Sequence, residues 1–441
     1  MTPRHAEIIE LIHKEVKPAL GCTEPIAVAL AAAKATEVLC GGVAQCVADC
    51  PLWRSSGDFA VKVEVSGNIL KNGMGVGIPG TGMVGLPIAA ALGVVCGDSS
   101  LGLEVLNGVS DNAVRRAKEL VGKGLVSVSV KQDSPLLFVD ARVSLGSDSG
   151  SAVISGDHDH IISTAFNGRT VFSEKPSGKA DDTQNAEGDY SLTVKEILEF
   201  AKDVAYEDIK FILADRDYNW KLAEEGLSKD YGLRVGKSIL DEKNPFFDDN
   251  FVSYAMGVTA AASDARMAGC TLAAMSNTGS GNQGITVSMP VIAYAKRYNV
   301  DDERLARALI VSNLIAIHIK SYLGKLSALC GCVVAGTGSS CGIVWLNGGG
   351  YEEVCASIRN MIGNITGMVC DGAKIGCAMK VASGVYSSVQ SAMLALKGIS
   401  ADENNGIIER DIEKTIRNLG EIGSAGMKST DKMILNIMSS K

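Results

Sequence analysis

Cys370 and Cys377 lie seven residues apart in TGMVCDGAKIGCAMKVAS (366–383), with Asp371 and two glycines between them. Thiolates are soft ligands, and they converge on one metal centre only from a chain that turns tightly, which glycine permits. The spacing is too long for the CxxC knuckle of a zinc site. Two readings stand: a pair of metal ligands, or two core cysteines, because free cysteine is among the most buried residue types. Upstream, LSALCGC places Cys330 and Cys332 40 and 38 residues before Cys370, again beside glycine. Either one, with Cys370 and Cys377, makes a set of three thiolates. Three protein ligands on a four-iron cluster leave one iron open to substrate.

A fourth thiol stands apart. In GCTEP (21–25), Thr23 is a natural N-cap and Glu24 and Pro25 suit a first helical turn. Cys22 therefore precedes a helix N-terminus, where unpaired N–H groups lower a thiol pKa to about 3.5–7.5. The plainer reading is a small residue packed at a helix start. Cys40, Cys46 and Cys50 have no histidine or fourth cysteine to complete a zinc site and read as a helix end running into a strand.

Two uncharged stretches have the composition of ligand cradles. SNTGSGNQGI (276–285) offers Ser276, Asn277, Thr278, Asn282 and Gln283 among three glycines. It suits the orientation of a small polar ligand, or it is a turn between helices. Lys71 and Asn72 open a Gly-rich run whose Gly80–Gly85 formally matches GxGxxG. No clear strand feeds it, and a proline precedes it directly, so an anion-binding loop for a carboxylate fits better than a dinucleotide site. Asp157–His160 (DHDH) reads as a solvated hairpin turn.

The elements that must position these groups follow from composition and periodicity. The chain has 441 residues, enough for two or three domains. With 49 glycines and only 5% aromatics, it favours close backbone packing among small residues. A net charge of −8 without a basic cluster argues against nucleic acid and anionic membrane as partners. Twelve cysteines in a chain whose start has no secretory pattern predict a reduced, cytoplasmic protein. The tract Leu326–Leu346 is interrupted by Gly, Ser and Thr and reads as core.

Helices are expected at 5–17, 23–39 and 102–122. Strands are expected at 59–65, 125–131, 136–144, 151–155 and 161–173. Residues 174–190 read as a mobile polar loop. Thr193 and Glu196 form a capping box opening a further helix. Beyond Pro245 the patterns are helical nearly to the end. The fold class is thus α+β: a mainly helical domain made of the N-terminal helices (1–45) and residues 246–441, with an inserted mixed α/β domain at 46–245.

Several strings together resemble the L-cysteine desulfidase family, itself distantly similar to the iron–sulfur L-serine dehydratases. They are GCTEP, KNGMGVGIPGTGMVGLP (71–87), SDARM (263–267), SNTGSGNQGI, LSALCG (326–331) and MVCDGAKIGCAMK (368–380). The similarity spans nearly the whole chain. It implies a 4Fe–4S cluster on Cys330, Cys370 and Cys377, with Cys330 preferred over Cys332 by its LSxxC position, and Cys22 as the proton-accepting thiolate. The implied reaction is β-elimination from L-cysteine to hydrogen sulfide, ammonia and pyruvate without pyridoxal phosphate, with L-serine dehydration as the neighbouring activity. A metal-stabilised binding protein is the alternative of another class. Substrate contacts are expected from Lys71, Asn72 and the 276–283 donors, and a homodimer is the default assembly.

Overall fold

The computed structural model describes residues 2–41, 59–174, 191–324 and 327–440. Cys46, Cys50 and nearly all of the expected polar loop at 174–190 lie outside the described residues. Short helical turns aside, the elements are α1 (Pro3–Glu15), β1 (Val16–Ala19), α2 (Thr23–Leu39), β2 (Phe59–Val65), α3 (Gly67–Gly73), α4 (Leu86–Cys96) and α5 (Asp111–Gly122). Next come β3 (Val126–Val130), β4 (Phe138–Leu145), β5 (Asp148–Ser155), β6 (Ile161–Phe166) and β7 (Arg169–Ser173). Then follow α6 (Val194–Asp203), α7 (Ala214–Ser228), α8 (Val235–Ile239), α9 (Phe251–Met267), β8 (Ala274–Asn277), α10 (Gly281–Tyr298) and α11 (Asp302–Leu323). The chain ends with α12 (Gly331–Leu346), α13 (Tyr351–Ile365), α14 (Cys377–Leu396), α15 (Ile412–Glu421) and α16 (Lys428–Ser439).

Two apolar cores organise an α+β fold. The first lies under a six-stranded sheet of order β3-β2-β4-β5-β6-β7, antiparallel except for the β2–β3 pair. Val61, Val63 and Val65 of β2 point inward while Lys62 and Glu64 point out, the period-two pattern of a sheet with one buried face. The alanines of α2 let that helix approach its neighbours at backbone distance. A Cβ on Gly93 of α4 would stand 2.1 Å from the Ala29 carbonyl oxygen, and one on Gly150 of β5 2.1 Å from that of Ala35. Asp157–His160 does form the turn between β5 and β6, with the His160 ring nitrogen Nδ1 3.2 Å from the Ser155 carbonyl.

The second core is helical, built from α9 to α15 and joined by α1 through Ile8 and Ile12. It is a small-residue core with buried hydroxyls returned to the backbone. Ser312 donates to the Val287 carbonyl at 2.5 Å, and a Cβ on Gly338 would stand 2.4 Å from the Ser312 carbonyl oxygen. α12 is buried along its length, as expected for Leu326–Leu346, and no helix among the described residues is long and apolar enough to cross a membrane.

The cores divide the chain differently from the expected 46–245 insertion. Residues 192–239 pack into the helical core, because the apolar face of α6 (Val194, Ile197, Phe200, Ala201) finds its cover there. α2, expected to fold onto the helical half, packs on the sheet instead. The expected helix at 102–122 begins only at Asp111, after Ser110 caps it, and positive φ at Gly102 and Gly108 breaks the earlier part.

Candidate active site at three helix starts

The two cores meet where the Gly-rich run 75–85 docks on the end of α9. The Gly77 N–H donates to the Met267 carbonyl at 2.9 Å, and a Cβ on Gly77 would stand 2.3 Å from the Ala268 carbonyl carbon. Gly77 therefore serves backbone-to-backbone docking, Gly80 and Gly82 are turn positions of positive φ with open space beside them, and no strand leads into the GxGxxG string.

Three helices begin at this junction. Cys22 is the N-cap of α2, Cys330 is the N-cap of α12, and Cys377 is the first residue of α14. At none of the three does a side chain cap the exposed N–H groups, so all three starts keep their partial positive charge. Cys370 is fixed by an antiparallel bridge between Leu329 and Val369. Across it, the Cys330 N–H donates to Met368 O at 2.9 Å and the Cys370 N–H to Ala328 O at 2.6 Å. By the alternation of a pleated pair, Cys330 and Cys370 leave the same face as a diagonal couple. The Cys377 Sγ lies 3.8 Å from Gly372 O, and Cys377 packs against a small cluster of Cys22, Val76 and Met267. The junction thus gathers all four thiols from the distant ends of the chain.

Their electrostatics differ. A hydrogen bond from Cys332 holds the Cys330 thiol down at about 7 despite burial. Burial pushes Cys377 up to about 11, with Cys330 and Cys370 adding to it, and Cys370 is raised by burial and by Cys330. Cations ring the group. Lys320 is itself pushed down to about 8 by burial while Cys370 and Cys330 pull the other way. Lys71, buried at 3% exposure, pairs with Asp431 of α16. Lys374 and Lys380 both pair with Asp371; burial pushes that carboxyl up, yet the two lysines hold it at about 2.

Among the described residues no three Cys, His, Asp or Glu converge tightly enough for a single metal ion. A four-iron cube is ligated at separate irons, so its thiols stand apart. Cys330 raises the pKa of both Cys370 and Cys377, and three such neighbouring thiols surrounded by lysines fit a group that stabilises thiolates.

Cys22 departs from expectation. Burial raises its thiol and outweighs the lowering by Arg266, so the resting side chain is a protonated thiol and not the low-pKa thiolate that the helix start alone suggested.

The 276–285 cradle is only partly open to this junction. Ser276 donates to Lys17 O at 2.7 Å across the β1–β8 pair. Asn277, fully buried, accepts from Gln283 Nε2 at 2.8 Å and from the Thr278 hydroxyl at 3.2 Å. It donates to Asn313 Oδ1 at 2.9 Å, and Asn313 in turn donates to Asp215 at 2.8 Å. This relay leaves Gln283 Oε1 turned toward Gly331, 3.3 Å from where a Cβ would stand, beside Cys330. Asn282 Oδ1 accepts from Arg266 Nη1 at 3.3 Å. Gln283 thus faces the start of α12 beside Cys330 and Asn282 contacts Arg266, whereas Asn277 and Thr278 hold Gln283 from behind and Ser276 ties the strand to β1. Asn72 shares the short helix α3 with Lys71.

Sequence reasoning passed over Arg266, Lys320 and Lys380. The available signal was charge inside small-residue helices, as in AAASDARMAG, where a buried cation needs a reason.

Residues 100–436 match the family described as serine dehydratase alpha chain. A UPF0597 protein from Oleidesulfovibrio alaskensis is 48% identical over 442 residues, covering 100% of this chain and 99% of its own. UPF0597 proteins from Parabacteroides distasonis and Aeromonas salmonicida are 44% and 42% identical, covering 99% and 100% of this chain and 98% of each of their own. With full-length relatives at this identity and a family match over most of its residues, the chain belongs to the serine dehydratase alpha chain family.

Proposed function

We propose that this protein is a pyridoxal-phosphate-independent β-eliminating lyase acting on a small β-substituted L-amino acid, with L-cysteine as substrate and hydrogen sulfide, ammonia and pyruvate as products. The observation that carries the reading is the meeting of Cys22 with Cys377 at the junction where Cys330 and Cys370 also lie. Cys330, Cys370 and Cys377 would hold a 4Fe–4S cluster, with Cys332 tuning Cys330 by its hydrogen bond. Held by those three residues, such a cluster would supply Lewis-acid chemistry at the leaving group.

The chain's own residues do the rest. Cys22 acts from its thiolate form, its own proton having been released to solvent before the substrate seals the site; burial raises that thiolate's proton affinity, and it takes the α-proton. Arg266, which favours the charged form of that side chain, lowers the cost of the thiolate only when it forms. Gln283 Oε1, held by the Asn277 relay, is an acceptor for the α-ammonium. The Cα–H electrons form the Cα–Cβ double bond as the Cβ–S bond breaks and sulfur leaves with its pair. The 2-aminoacrylate product tautomerises to an imine, and water hydrolyses it to pyruvate and ammonia.

L-Serine is the second reading, favoured by the family description; it differs only in the leaving atom. Sulfide release from L-cysteine against pyruvate release from L-serine, under strict anaerobic handling, separates the two. Iron and acid-labile sulfide content test the cofactor: Cys330→Ser, Cys370→Ser and Cys377→Ser should each lose both. Cys22→Ser should keep the iron and lose α-proton exchange with solvent. Stoichiometric zinc in place of iron would instead support a structural metal in a binding protein.

A further inference from the structure

We propose that Arg266 receives the substrate's α-carboxylate. The inference rests on the lyase reading only for the identity of the anion. Arg266, in the last turn of α9, is 6% exposed. Its Nη2 donates to Gly21 O at 2.8 Å, its Nη1 contacts Asn282 Oδ1 at 3.3 Å and Met267 Sδ at 3.4 Å, and the guanidinium also hydrogen-bonds the Cys22 side chain, which burial keeps a neutral thiol. Its Nε–H is buried without an acceptor, and no carboxylate among the described residues reaches it. Three lysines of the junction differ in this: Lys71 has Asp431, and Lys374 and Lys380 share Asp371.

A guanidinium out of water without a counter-charge is costly, and neutral acceptors do not cancel that cost. The fold nevertheless makes room for it. A Cβ on residue 281 would stand 2.2 Å from Arg266 Nε, so Gly281 keeps the space that the guanidinium occupies. The planar fork matches a carboxylate, and its free donor fits an oxygen of one. Arg266 also grips the carbonyl of Gly21, the residue directly before Cys22. An amino acid held there by its carboxylate has its α-carbon next to the thiol that takes the proton. Asn282, in contact with Nη1, is only partly buried, so the guanidinium sits within one side chain of the surface.

The test uses unreactive probes on anaerobic, iron-loaded protein: L-alanine, which lacks a leaving group, and L-alaninamide, which lacks the carboxylate. Isothermal titration of the unaltered protein should favour L-alanine by about 10–100-fold, the range of a charge-assisted hydrogen bond. In Arg266→Met the preference should collapse to about 1, and Arg266→Lys should keep part of it. Asn282→Asp guards against a folding defect: a resident carboxylate beside Nη1 should raise the melting temperature while weakening L-alanine binding. Retained preference in Arg266→Met, or unaltered L-alanine affinity in Asn282→Asp, overturns the proposal. So does the absence of L-alanine binding to the unaltered protein. A shift only in the pH profile of Cys22 alkylation by iodoacetamide, with the preference intact, also overturns it by making Arg266 a counter-ion alone. Binding that follows Arg266 without sulfide or pyruvate production leaves this inference standing and removes the lyase reading.

Discussion

Asp215 closes the buried relay that aims Gln283, and burial pushes its carboxyl up to about 7 from an ordinary 3.8, with the Asn313 hydrogen bond opposing. It is 1% exposed, and its Oδ1 has no partner. Between about pH 4 and pH 7 the unfolded chain has lost this proton while the folded chain keeps it, so stability falls as pH rises through that window. At 1.36 kcal/mol per unit, a shift of about 3 units amounts to about 4 kcal/mol over the whole window. About 3 kcal/mol of that falls between pH 5 and pH 8. Unfolding entropy of about 2.1 cal/mol/K per residue over 441 residues converts this to about 3 °C. Asp215→Asn keeps an acceptor for Asn313 and cannot ionise. Thermal unfolding of both proteins at pH 5 and pH 8 should therefore show the variant gaining about 3 °C relative to the parent as pH rises. All other groups titrate in both proteins and cancel. Parallel curves, or a gain at the acidic end, would refute the argument that Asp215 is held neutral by burial.

Three further outcomes are expected. Gly372 has φ +93°, and a Cβ there would stand 2.1 Å from Lys71 O. Gly372→Ala should cost about 1–3 kcal/mol and lower iron retention, whereas Gly367→Ala, with nothing within 4 Å of its added carbon, should change neither the melting temperature nor the iron content. Glu413 joins three elements, accepting from the Val194 N–H at 2.7 Å and lying 2.6 Å from His318 Nε2. Glu413→Ala should cost about 3 kcal/mol in urea unfolding, without changing iron content. Thr193 accepts from the Glu196 N–H at 3.1 Å, so Thr193→Ala should cost about 1 kcal/mol, read as a lower urea midpoint at an unchanged slope.

What could be read in sequence was local. Period-two alternation marked β2 and Thr193 marked the start of α6, because short-range sterics and capping decide such features within a few residues; the Thr23 cap was off by one residue, since Cys22 is the N-cap of α2 and no side chain closes that end. The candidate thiols were likewise legible by type and spacing, helped by a resemblance spread over the chain. Partners were not. Glu196, expected to reach back to its own helix cap, instead binds Arg4 of α1 at 2.7 Å, and Lys71 meets Asp431 across 360 residues. The same limit hid the division of the cores, since an apolar stripe such as that of α6 specifies that it will be covered but not by which element. It also hid the state of Cys22. A helix start lowers a thiol pKa through charges one turn away, whereas desolvation depends on everything packed around the sulfur, including Val76, Met267 and Cys377 from three other parts of the chain. Sequence determined which groups could do chemistry; only the packed chain decided which of them are buried, paired or left facing one another, because burial and long-range contact are properties of the whole fold.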